Sequence, residues 1–115
     1  MLTIPYVNWE KMPWQKVRDG VERKIFTGEG ATLTLNRLQP GHEPKPHHHP
    51  EEQISYIVSG GQLEIHVDDQ LFKLTSGGLI VIPPNIVHWG QVVGNDVVMN
   101  LDVFTPKRME YVKQM

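Results

Sequence analysis

Apolar and polar residues alternate in short runs along most of this chain. VERKIFT (21–27), ATLTLNRL (31–38), QISYIV (53–58), QLEIHV (62–67), LFKL (71–74), LIVI (79–82) and VVMNLDVF (97–104) carry period-two character, which places successive side chains on opposite faces of a strand. Ten glycines and nine prolines punctuate the chain at short intervals, as tight turns between strands require. A helix needs apolar residues three and four apart over about ten positions or more. Only the tail after Pro106 could supply even a short one. The pattern predicts an all-β domain, a closed barrel or jelly roll, since those architectures manage strand edges.

Length and charge narrow the picture a little. At 115 residues the chain makes one domain able to bury most of its apolar surface, and with no cysteine it has no disulfide available. A net charge of -2 gives no reason to expect nucleic acid or a membrane surface as partner. The first twenty residues lack the basic start and apolar run of a secretory signal, and no stretch approaches a membrane span. A soluble cytoplasmic protein is the expectation. Residues 1–20 stand apart, with Tyr6, Trp9 and Trp14 clustered in them; they are expected to pack on the barrel, over an open end, or on a partner subunit. The barrel would then span residues 21–105 and a tail 106–115. Trp9, Trp14, Met109 and Met115 offer apolar surface for a homodimer.

The candidate chemistry begins at PKPHHHPEEQ, residues 44–53. An affinity tag would sit at a terminus, so the competing readings are a solvated loop and a metal site. In an extended strand His47 and His49 project to one face and His48 to the other. Beyond the turn-prone Pro50, Gln53 opens the next strand, and a short hairpin would return it to the same place. In LIVIPPNIVHW, His88 follows a proline turn and can face inward from a neighbouring strand. Three imidazoles and one side-chain oxygen make a common set of donors for a divalent transition metal; Zn, Ni, Mn and Fe all remain open. His42 and His66 read as exposed or locally hydrogen-bonded. Glu51 and Glu52 are less well spaced than Gln53 to serve as the fourth ligand, and Tyr56 points off the metal face. In the last strand Val98, Asn100, Asp102 and Phe104 share one face, with Met99, Leu101 and Val103 on the other. Periodicity alone makes the second face core. Phe104 on the polar face suits the alternative, a barrel with a polar, ligand-lined interior.

Two spaced motifs in this chain resemble those of the cupins. Gly41, His47, His49, Gln53 and Gly60 follow G-x5-H-x-H-x(3,4)-E-x6-G, and Gly77, Pro83, Asn85, His88 and Val92 follow G-x5-P-x-G-x2-H-x3-N. The resemblance implies a double-stranded β-helix, the cupin jelly-roll barrel, with His47, His49, Gln53 and His88 as metal ligands. Asn85 stands for a glycine, a mild change because Asn tolerates left-handed turns. Val92 stands for the closing Asn, and either Gly60 or Gly61 could take the first motif's last position. Gln53 for Glu matters more: four neutral ligands would leave the ion its full charge, which favours anionic ligands and Lewis-acid chemistry.

The end of the last strand resembles the pectin-degradation protein KdgF family, whose members close with D-x-F-x-P-x-R and have glutamine as fourth ligand. Here the motif is Asp102, Phe104, Pro106 and Arg108. The resemblance implies linearisation of a 4,5-unsaturated uronate monomer to an open-chain keto acid. Asp102 would shuttle the proton, Arg108 would clamp the carboxylate of an anionic substrate, and Phe104 would line the site. Another metal-dependent isomerase or lyase, a dioxygenase, or a non-catalytic small-molecule-binding cupin are the competing readings. A sensor would need a signalling partner or a DNA-binding domain, and neither is expected from these residues.

Overall fold

A computed structural model describes residues 1–112. After a 3-10 turn at Trp9–Lys11 come nine strands: β1 (Gln15–Arg18), β2 (Val21–Thr27), β3 (Thr32–Leu38), β4 (Glu52–Ser59), β5 (Gln62–Val67), β6 (Gln70–Leu74), β7 (Leu79–Ile82), β8 (His88–Val93) and β9 (Val98–Thr105). A short helix, α1 (Met109–Val112), follows them. All strand pairs are antiparallel. Six strands form one sheet in the order β1-β2-β3-β9-β4-β7, and three form a second in the order β6-β5-β8. This is the all-β jelly-roll barrel the alternation predicts, with the short helix in the tail. Among the described residues no helix is long and apolar enough to cross a membrane. Met115 lies outside the described residues.

Two strands escape the sequence pattern. β1 has four residues and a register shift between Lys16 and Arg18, too short and irregular to show a period. β8, HWGQVV, carries a glycine at Gly90 where alternation would need a side chain. Trp14 lies on the outer face of the large sheet, beneath the Lys24 ammonium and the Arg37 guanidinium at 4.5 and 4.3 Å from the ring centroid. Residues 1–8 are exposed.

The interior has an apolar part and a polar part. Val21, Leu38, Ile57, Leu63, Ile65, Val67, Ile82, Val92 and Val98 make one buried cluster. Thr32, Thr34, Gln53, Ser55 and Asn100 are also buried, on inward positions of β3, β4 and β9. Ile54, Tyr56 and Val58 alternate with Gln53, Ser55 and Ile57 and are exposed. Gly60 is the glycine the fold requires. At φ +106 a Cβ there would sit 2.8 Å from Val98 Cα and closer still to the Val97 carbonyl, whereas at Gly61 the nearest atom would be 3.6 Å away. Asn85 takes the left-handed conformation, φ 64, and its N–H donates to the His49 carbonyl.

Candidate metal centre and ligand cavity

His47, His49 and His88 come together where the two sheets meet. The His47 and His88 backbones exchange hydrogen bonds of 3.1 and 2.9 Å, an isolated antiparallel bridge that joins the segment before β4 to the start of β8. One ring nitrogen from each of the three lies within 4.8 Å of the others. His48 is exposed.

The other ring nitrogens fix the tautomers. Nδ1 of His47, His49 and His88 lies 2.8, 3.0 and 2.9 Å from the carbonyl oxygens of Lys45, Glu51 and Ile86. A carbonyl can only accept, so each Nδ1 carries a proton, and in the neutral ring Nε2 presents a lone pair. Burial lowers the His47 pKa and takes that of His88 down to about 4, with the neighbouring cations adding to the effect. Both rings are therefore neutral at pH 7, the form that binds metal. His88 Nε2 is buried with no hydrogen-bond partner. His49 Nε2 faces Gln53 Oε1 at 3.0 Å; in the neutral ring with Nδ1 protonated these are two acceptors, which a shared cation would satisfy. These donors fit a divalent transition metal.

Gln53 leads from the histidines to Asp102. Its Nε2 donates to Ser55 Oγ at 2.9 Å, and Ser55 Oγ donates to Asp102 Oδ1 at 2.6 Å. Asn100 donates to the same carboxylate oxygen and Asn36 to the other, each at 2.8 Å. Burial raises the Asp102 pKa, and these hydrogen bonds oppose the rise. The register makes the cluster: Ser55 pairs with Asp102 across β4 and β9, and Asn36 with Asn100 across β3 and β9.

Phe104 and Arg108 line the same cavity as His47, His88, Gln53 and Asp102. Phe104 is buried and meets His49 edge to face at 5.3 Å. The Arg108 backbone N–H donates to Thr32 Oγ1 at 2.8 Å, which pins the tail to the barrel. Its guanidinium lies 5.1 Å from the Phe104 ring centroid, and its Nε is 3.8 Å from Glu51 Oε1. Six of the seven residues singled out from the sequence thus border one space, His47, His88 and Gln53 with Asp102, Phe104 and Arg108, and His49 stands behind them against Gln53 and Phe104.

Sequence reasoning missed Ser55, Asn36, Arg23 and Tyr111 as parts of this cavity. Period two from Gln53 could have found Ser55; for Asn36, Arg23 and Tyr111 the needed signal is strand register and tail placement. His42 corrects an expectation. Its ring is buried at the cavity wall rather than exposed, and its Cβ sits where a side chain at Gly20 would intrude. His66 stacks on Trp89 at 3.6 Å, away from the metal-type histidines.

Comparison with known proteins agrees with this architecture. A cupin domain matches residues 34–104. The pectin degradation protein KdgF of Dickeya dadantii (strain 3937) is 28% identical over 105 residues, 90% of this chain and 94% of that protein. The structure of KdgF from Halomonas sp. superposes with a TM-score of 0.83 at 25% identity, covering 94% of this chain and 98% of that one. Acireductone dioxygenase of Bacillus pumilus (strain SAFR-032) is 30% identical over 84 residues, 70% of this chain and 47% of that protein. With the barrel, the motif spacing and the domain match in agreement, the chain belongs to the cupin family.

Proposed function

We propose that this protein is a metal-dependent cupin enzyme that linearises 4,5-unsaturated uronate monomers to open-chain keto acids. The observation that carries the reading is Gln53, whose Oε1 faces His49 while its Nε2 opens a hydrogen-bonded run through Ser55 to Asp102, in one cavity with Arg108. Likeness to the pectin degradation proteins over nearly the whole chain supports it.

His47, His49, His88 and Gln53 would hold the ion, and a divalent metal there supplies Lewis acidity toward the ligand's oxygens. Arg108 receives the carboxylate, with its planar fork of donors suited to two parallel hydrogen bonds. Phe104 packs against the ring. Asp102 takes the proton of the anomeric hydroxyl. The bond between C1 and the ring oxygen breaks, an aldehyde forms at C1, and the proton is returned to C4 as C5 becomes a ketone. The change is an isomerisation and consumes no co-reactant.

The test is loss of the ultraviolet absorbance of the conjugated enol ether, measured with metal-loaded protein and with His88→Ala. Turnover by the first, and loss of both metal and turnover in the second, is the expected result. A second reading, oxygen chemistry on a small acid, draws on the likeness to acireductone dioxygenase. Stoichiometric metal with no uronate turnover but measurable oxygen uptake would replace the first reading with the second.

A further inference from the structure

Glu51 stands between the metal-type histidines and Arg108. Its backbone carbonyl lies 3.0 Å from His49 Nδ1 and accepts from it. Its side chain, 12% exposed, turns toward the same nitrogen, with Oε1 3.5 Å away. That oxygen also lies 3.8 Å from Arg108 Nε. Glu51 Oε1 and Arg108 Nε are both buried, and neither has a hydrogen-bond partner. A carboxylate oxygen taken out of water without a hydrogen bond is costly, so its compensation here is charge. The Arg108 guanidinium supplies it on one side. On the other stands an imidazole whose Nδ1–H becomes a stronger donor once a cation sits at Nε2. The other acids are placed differently. Asp102 is engaged by Ser55, Asn36 and Asn100, and Glu110, 3.3 Å from Arg108, is 68% exposed, where water screens it. Neither His49 nor Glu51 lines the cavity itself, so Glu51 acts through its neighbours.

We propose that Glu51 is the positioning residue that sets the charge of this site. From behind His49 it supplies the negative charge that His47, His49, His88 and Gln53 do not bring as donors, and it balances the charge of Arg108. A negative charge beside His49 favours a cation at the far nitrogen of that ring. The same charge beside Arg108 disfavours an acid in the cavity. Glu51 therefore tightens the hold on the ion and loosens the hold on a carboxylate-bearing ligand, which suits a site that keeps its metal and releases an anionic product. The inference rests on the proposed reading of the cavity as a metal-dependent sugar-acid site.

Two dissociation constants test it. One is for Zn2+, by competition with a chromophoric chelator. The other is for a saturated hexuronate, which lacks the enol ether, by calorimetry on the zinc-saturated protein. Thermal melting confirms that each variant folds. Glu51→Gln keeps the backbone carbonyl on His49 and removes the charge. It should raise the zinc Kd about tenfold or more and lower the hexuronate Kd about threefold or more. Should the single variant not fold, the zinc comparison is made between Arg108→Gln and the double variant, in which no buried guanidinium is left without its counter-charge; the same loss of zinc affinity is expected there. General loosening of the site would weaken both ligands together, so only opposite shifts support a role in charge. A zinc Kd raised by less than about tenfold, or a hexuronate Kd that fails to fall, would overturn the role of Glu51. Zinc binding by the native protein and its loss in His88→Ala would then leave the metal reading standing. Absence of zinc binding by the native protein would overturn the metal reading and the inference with it. Zinc bound without hexuronate would overturn the sugar-acid reading and the anion half of the inference.

Discussion

Replacing Gln53 with Glu probes the fourth donor and the hydrogen-bond run behind it in one substitution. The four converging donors are all neutral, so a divalent ion among them keeps its full charge. A carboxylate at this position would set a negative charge beside it. A divalent ion and a unit charge about 4 Å apart attract by roughly 8 kcal/mol at an effective dielectric of about 20. Desolvation of the buried carboxylate takes back much of this. A net gain of about 1.5–3 kcal/mol corresponds to metal binding roughly ten- to a hundredfold tighter. The loss falls on the other side of the residue. Gln53 Nε2 donates to Ser55 Oγ, and an ionised Glu has no hydrogen to give. Ser55 is buried and its proton already goes to Asp102, so it would have one proton for two carboxylates. An unmet buried hydrogen bond costs about 1–3 kcal/mol, and a second negative charge in the network would raise the Asp102 pKa further. Competition for Zn2+ against a chromophoric chelator, with uronate turnover at saturating metal, reads both effects. Tighter metal binding with turnover lowered tenfold or more is the expected pair. Metal binding no tighter than in the native protein would refute Gln53 as a donor, and undiminished turnover would refute the run to Asp102.

The raised Asp102 pKa places the acid limb of the turnover profile above the ordinary carboxylate range, since a base must be ionised to act; Asp102→Asn should retain metal and lose turnover by at least about a hundredfold. The same shift has a stability sign. A group whose folded pKa exceeds its unfolded value stabilises fully below the unfolded value and loses that contribution as pH rises through the folded one. The wild-type Tm should therefore fall relative to that of Asp102→Asn as pH rises above the ordinary carboxylate range, and a pH-independent difference would reject the shift. Gly60→Ala should destabilise by about 3 kcal/mol or more in chemical denaturation and Gly61→Ala by no more than about 1, because only the first would drive a Cβ into Val97 and Val98. Finally, Ile54 and Tyr56 pair with Val81 and Leu79 on the outer face of β4 and β7, all four exposed, a patch suited to a second copy of the chain. A homodimer closed over that face predicts that Leu79→Glu gives a monomer in sedimentation velocity; a persistent dimer would move the interface elsewhere.

The histidines were legible because the rules that place them are local. Period two puts His47 and His49 on one side, and the Pro-Pro-Asn turn, with Asn85 left-handed, delivers His88. The polar interior was not legible in the same way. Alternation in QISYIV divides Gln53, Ser55 and Ile57 from Ile54, Tyr56 and Val58, but it does not say which set is inside. Hydrophobicity alone would bury Ile54, Tyr56 and Val58, yet the reverse holds, because Ser55, Asn36 and Asn100 satisfy one another through Asp102. A buried polar residue is tolerable when its partners are in place, and those partners come from β3, β4 and β9, up to 66 residues apart in the case of Asn36 and Asp102. His42 escaped for a related reason: what buries it is the lack of a side chain at Gly20, on a turn 22 residues earlier. Sequence pattern could find donors that sit close together along the chain, whereas the carboxylate network depends on strand register. The Gln53 position belongs to both. It stands in a spaced motif as a metal-type donor and in the register as the first link toward Asp102, so a carboxylate there cannot alter the one role without disturbing the other.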